Sequence, residues 1–266
     1  MIVESILAPI LLFMVGVPGL YLNLPSTFSL LGTATTFEMV SACHAAGNAA
    51  VIAVMIFCSA PMIYIGSPSL SENEFGRTGG RAIMYGWFLV HYTQVVLAIN
   101  RYMAINCPVS YNIVFSVNTK RILVLLAIYL LWYFFVGFLD GCHFIFLLAK
   151  WQWAFEQTQC GLILGLYLDF YFTIGLVVIN TIIDLRTALS IYRFVKRTAR
   201  TDRHFAHTDV LFFIQSCMSN LVFIVDLSLF FVGSTIYQAL LGETPDTFGT
   251  FLINTLTMEI RHSMDG

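Results

Sequence analysis

Four groups of residues stand where their types could do chemistry. Arg101 closes an apolar stretch that begins after Arg81. The intervening chain, as helix, covers about 30 Å, the thickness of a hydrocarbon layer, so the two arginines belong at opposite membrane faces. A guanidinium at such a place can snorkel into the headgroups or meet a protein beyond them. Asp169 and Asp226 lie inside apolar stretches, and acids at that depth are costly enough to be functional suspects. Asp226 is about 25 Å along a helix from Asp209, and Asp169 about 12 Å inward from Gly161. Both can line a cavity open to one face or bond to a neighbouring helix. Trp87, Phe88, Tyr92, Phe170, Tyr171 and Phe230 offer an aromatic wall. A concave, mostly apolar site suits a small hydrophobic molecule; the same residues also serve to face lipid or fill a core.

The fourth group is six histidines. Metal ligands must converge within bonding distance, yet His44, His91 and His143 fall on three segments at different depths. His204 and His207 belong to a basic, solvated stretch. With no His-Glu-x-x-His or paired-cysteine motif, no metal site, catalytic residue or cofactor is expected. Of the six cysteines, Cys43, Cys58 and Cys217 lie in apolar stretches, and Cys107 falls on the side where thiols stay reduced.

The elements that hold these residues follow from composition. Of 266 residues, 58% are apolar and 11% charged, against roughly a quarter charged in soluble domains; the mean hydropathy is +0.81. An all-α membrane protein is expected. A net charge of -2 leaves no basic footprint for nucleic acid, and aromatic residues at 15% throughout exclude disorder and collagen-like chains. A span needs about 20 apolar residues, and seven are expected within one domain covering 1-266: 5-24, 39-65, 81-104, 122-146, 161-186, 209-232 and 247-266, the last partial. The start, with Glu4 and no basic residue, reads as a span rather than a cleaved signal. Pro25 opens the first loop.

Nine of the 13 basic residues fall in two connections, Arg101 with Lys120 and Arg121, and the run from Arg186 to Arg203. Lysines and arginines favour cytoplasmic loops, which puts the amino terminus outside. An odd span count without internal repeat speaks against the inverted halves of many transporters.

From Arg101 to Tyr111 the chain reads Arg-Tyr-x-Ala-Ile-x-x-Pro-x-x-Tyr. On seven spans with an outer amino terminus, this resembles the end of the third helix in rhodopsin-like G-protein-coupled receptors. Gly19 and Asn23 match that family's first-span Gly-x-x-x-Asn. Trp87, Cys142, Trp153, Cys160, Asp169 and the run Asp184 to Thr187 are similar to the serpentine receptor class x (Srx) family of nematode chemoreceptors. The closing stretch from Arg261 to Gly266 resembles that family's His-Ala-Leu-Asp-Gly motif in the seventh span, and the likeness covers nearly the whole chain from Gly19.

The resemblance implies a chemosensory receptor of the plasma membrane, with its amino terminus extracellular. Such a receptor binds a small extracellular ligand and activates a heterotrimeric G protein. Arg101, Tyr102, Pro108 and Tyr111, with Arg193, Lys196 and Arg197 of the third cytoplasmic loop, would engage the G protein. Trp87, Phe88, Tyr92, Asp169 and Asp226 would line the ligand cavity. Asn100 stands where most such receptors carry an acid that pairs with the arginine; raised basal coupling relative to an Asn100→Asp variant is therefore expected. Asn48 replaces a sodium-binding Asp, so no sodium site is expected. Ile83 occupies the place where amine receptors bind the ligand's ammonium, which argues against a biogenic amine.

Receptors of this kind bridge the second outer loop to the third span, but Gly79 to Met84 holds no cysteine. Cys142 and Cys160 are then expected to pair, two free thiols being the alternative. The last segment has about 14 apolar positions before a polar end, short of a full span, so the seventh helix is expected to be shortened. A transporter or channel with a polar path through Asp169 and Asp226, or a non-signalling receptor fragment, are the competing readings.

Overall fold

A computed structural model of the chain describes residues 2–28, 35–198, 218, 220–230, 232–233, 235–237, 239 and 246–265. Among the described residues, seven helices, numbered here in chain order, form the bundle: α1 Ile2–Phe28, α2 Thr36–Ile65, α3 Glu74–Asn106, α4 Thr119–Val136, α5 Gln159–Arg193, α6 Asn220–Phe230 and α7 at 247–264. The first five are long and apolar enough to cross a membrane. Within hydrocarbon a helix is the element that satisfies its own backbone, and side chains at its ends mark where each one starts. Thr35 and Glu38 form a reciprocal capping box on α2, Asn73 accepts from the Phe75 and Gly76 amides on α3, and Asp246 accepts from the Gly249 amide on α7.

The helices α2 and α3 occupy the centre, and α4 and α5 turn most of their side chains outward. Val124, Leu125, Ile128, Val178 and Ile182 are exposed, as lipid-facing positions of a peripheral helix must be. The central pair crosses at two glycines: a Cβ on Gly47 or Gly86 would stand 3.1 Å from the other's carbonyl oxygen. Small residues of this kind let membrane helices approach. The core above the crossing holds Met55, Phe88, Tyr133, Phe146, Trp153 and Phe251.

One expected boundary does not hold. The fourth span, 122–146 in the sequence reading, ends as a helix at Val136. Gly137 and the left-handed Gly141 break it, and the following residues form an antiparallel hairpin, β1 Phe144–Leu147 with β2 Gln152–Phe155, in which Phe146 faces Trp153. Alternate residues Phe144 and Phe146 are buried, the period of a half-buried strand. Pro25, expected in a loop, lies within α1.

The hairpin is bonded to the bundle on two sides. The Trp153 indole donates to Ser59 Oγ of α2 at 2.9 Å. From α7, Thr255 Oγ1 donates to the Trp151 carbonyl at 2.6 Å and Asn254 Nδ2 to Gln152 Oε1 at 2.9 Å. A disulfide joins Cys142 to Cys160 with Cα atoms 5.1 Å apart, closing the segment that contains the hairpin. Cys43, Cys58 and Cys107 are free; Cys217 lies outside the described residues.

Candidate functional site

Beneath the hairpin, five elements leave a narrow cleft lined by Ile83, Met84 and Trp87 of α3, Phe144 of β1, Asp169 of α5, Asp226 and Phe230 of α6, and Met258 of α7. Asp169 belongs to a stretch of wide helical turns, Ile163–Tyr171, a distortion frequent at functional positions. Both acids are buried, Asp169 at 5% and Asp226 at 4% exposure. Behind Asp226 stands Arg261, its guanidinium 4.0 Å from the carboxylate. That guanidinium is covered by the Trp87 ring at 4.7 Å and the Phe223 ring at 4.4 Å. Sequence reasoning left Arg261 without a role. Its depth inside a helix, where an unpaired guanidinium is costly, was the available signal.

Two of the expected ligand residues lie elsewhere. Phe88 is fully buried and stacks on Tyr133 of α4 at 3.7 Å. Tyr92 packs on Tyr129 of α4 and Phe172 of α5. Both face away from the cleft because they follow Trp87 by one and five residues, about 100° and 140° around a helix of 3.6 residues per turn. Tyr171 is exposed, whereas Phe230 lines the cleft.

At the other end of the bundle, Arg101 meets a carboxylate from a different helix. Its Nη2 donates to Asp184 Oδ1 of α5 at 3.0 Å. Asn220 Nδ2 of α6 donates to the second oxygen of Asp184 at 3.1 Å. The side-chain Oδ1 of Asn220 in turn accepts from Asn180 Nδ2 at 2.7 Å and Gln94 Nε2 at 2.9 Å. Three helices are thereby joined through one buried polar network. The premise that neutral Asn100 leaves Arg101 without an ion pair is corrected: Asp184, 83 residues along the chain, supplies the acid that the neighbouring position lacks. A charged group deep in a predicted span was the signal, but nothing in the sequence paired the two helices.

Below Arg101, Tyr102 is half-buried, and Pro108 opens a one-turn helix, Pro108–Tyr111, on which Pro108, Val109 and Ser110 are exposed. Tyr111 stacks against Phe115 at 5.9 Å, and Arg193 is exposed. Lys196 and Arg197 continue the helical backbone of α5, but their side chains lie outside the described residues, as do Arg200, Arg203, His204 and His207. This end therefore presents a guanidinium held in a network beside an exposed, partly apolar turn.

The two sites share α6. Asn220 of the network and Asp226 of the cleft are about 9 Å apart along one helix. Between them Phe223 contacts Trp87 at 6.1 Å and His91 at 4.5 Å. Helix α7 is anchored to α1 and α2: His262 Nδ1 donates to Asn48 Oδ1 at 2.6 Å, and Asn23 Nδ2 donates to the His262 carbonyl at 3.3 Å. His44 Nε2 lies 3.0 Å from Asp265 Oδ2.

Comparison with known proteins agrees with this architecture. The family described as Serpentine type 7TM GPCR chemoreceptor Srx matches residues 13–266. A relative, Serpentine receptor class X 45 of Caenorhabditis elegans, is 21% identical over 239 residues, or 84% of this chain and 65% of the relative. The chain thus spans about two thirds of the length of that relative. A helical membrane bundle with a match over nearly its full length places this chain in the Srx family of serpentine seven-transmembrane chemoreceptors, a receptor family and not an enzyme family.

Proposed function

We propose that the chain is a chemosensory receptor of the plasma membrane which binds a small molecule in the cleft beneath the hairpin and activates a heterotrimeric G protein at the Arg101 end. The hairpin end, with the amino terminus, is extracellular in this reading, because the basic connections lie at the other end. The observation that carries it is the network of Arg101, Asp184 and Asn220, which holds α3, α5 and α6 together where a coupling partner would have to enter.

A ligand in the cleft touches Trp87, Asp226 and Phe230, so it acts on α3 and α6 at once. Any difference in its affinity for two positions of α6 shifts the population between them, and Asn220 carries that shift into the network. Opening releases Arg101 toward Pro108 and Tyr111, where Tyr102, Arg193, Lys196 and Arg197 complete the coupling face. The test is nucleotide exchange on a purified heterotrimeric G protein with the receptor in lipid nanodiscs. Arg101→Ala is expected to abolish receptor-dependent exchange while membrane insertion stays intact; unchanged exchange removes the coupling role.

A further inference from the structure

We propose that the cleft takes a small organic monocation, a protonated aliphatic or aromatic amine, with its ammonium against Asp169; this deepens the reading of the cleft as the ligand site and rests on it. Two carboxylates line the cleft, and the guanidinium beside it does not. Arg261 stands 4.0 Å from Asp226, enclosed by two rings, so Asp226 has its counter-charge. Asp169, 5% exposed, forms no ion pair within 4 Å among the described residues and its Oδ1 closes no hydrogen bond there, the Trp87 indole and the Arg261 guanidinium being its polar neighbours. The Trp87 Nε1, buried in the same cleft, is the donor that faces Asp169, with no closed hydrogen bond among the described residues.

Arg261 acts on Asp169 as well, but that one guanidinium is shared with Asp226. Asp265 lies against His44. A carboxylate ligand would meet the two acids that line the cleft. An ammonium would satisfy Asp169 and lie against the Trp87 ring, a favourable cation–π partner. Met84, Phe144, Phe230 and Met258 then receive the apolar body. The free space is close to that of a single water molecule, so a ligand must part the walls; the two methionines, unbranched and adaptable, are the side chains suited to yield. The sequence argument against an amine weighed Ile83 of α3 alone, yet Ile83 and Asp169 line the same cleft, with the carboxylate arriving from α5.

Ligand-induced shifts in thermal unfolding of the full chain in nanodiscs test this with three isosteric sets: 2-phenylethylamine and hexylamine, 2-phenylethanol and hexanol, 3-phenylpropanoate and hexanoate. The amines are expected to bind about tenfold or more tighter than the alcohols, and the carboxylates not at all. Asp169→Asn is expected to erase the preference, and Asp140→Asn, at an exposed acid outside the cleft, to retain it. Failure of both amines to bind, equal binding of alcohols or carboxylates, or an amine preference that survives Asp169→Asn overturns the proposal. Should Asp169→Asn not fold, the ranking on the parent chain decides. Alcohol binding equal to amine binding and lost in Trp87→Ala sinks the charge assignment alone and leaves the cleft as the ligand site.

Discussion

At Arg101 the decisive contact comes from another helix. A guanidinium at an interface alone can snorkel, but one bonded to Asp184, itself bonded to Asn220, has a defined position to lose. The motif around Arg101 and the two acids Asp169 and Asp226 were legible in the sequence, because charges in apolar stretches announce themselves. Their partners were not, since helix pairing and rotation are tertiary facts. Phe88 and Tyr92 illustrate this: their type suited a ligand wall, and their angle on α3 turns them to α4 and α5. It follows that Phe88→Ala weakens the bundle, through loss of an aromatic pair worth about 1 kcal/mol, without changing ligand response. Trp87→Ala, by contrast, alters the response at similar stability cost. Unfolding midpoints and ligand-dependent exchange, measured side by side, separate the two; a ligand response lost in Phe88→Ala would return that residue to the site.

Among the elements, the first strand of the hairpin is the one that sequence reading absorbed into a helix. Phe144–Leu147 is wholly apolar, so a search for apolar runs extends α4 to 146, although the glycines Gly137 and Gly141 that break the helix were present. The hairpin is seated by a close approach: a Cβ on Gly80 of α3 would collide with the Phe144 carbonyl. The disulfide closes an 18-residue separation around it, and a loop of that size gains about 3 kcal/mol from the cross-link. Replacing Cys142 and Cys160 together by serine is expected to lower the unfolding midpoint and to loosen the cleft, raising ligand off-rates. An unchanged midpoint under non-reducing conditions would show that the hydrogen bonds to Ser59, Thr255 and Asn254 hold the hairpin without it.

For the whole molecule, composition and span spacing carried the membrane bundle before any contact was known. What they could not supply is the vertical organisation: a cleft with Asp169 and Asp226 under the hairpin, a polar network with Arg101 and Asp184 at the far end, and α6 between them. In this arrangement the acids line a narrow cleft, and the Phe223 and Trp87 rings stand between it and the network. Vesicles bearing the chain are expected to show no ion or solute flux above empty vesicles. Flux abolished by Asp169→Asn or Asp226→Asn would favour a transporter over a receptor.

The measurement that bears most directly on the central claim is basal nucleotide exchange on a heterotrimeric G protein in nanodiscs, compared among the parent chain, Asp184→Asn and Asp184→Asn combined with Arg101→Ala. Removing the acid weakens a buried, charge-assisted link of about 1–2 kcal/mol, which corresponds to a factor of about 5–30 in population. The account predicts that Asp184→Asn raises basal exchange by up to that factor and that the added Arg101→Ala removes it. Equal rates in all three would contradict a network that restrains Arg101 and a coupling face built around it.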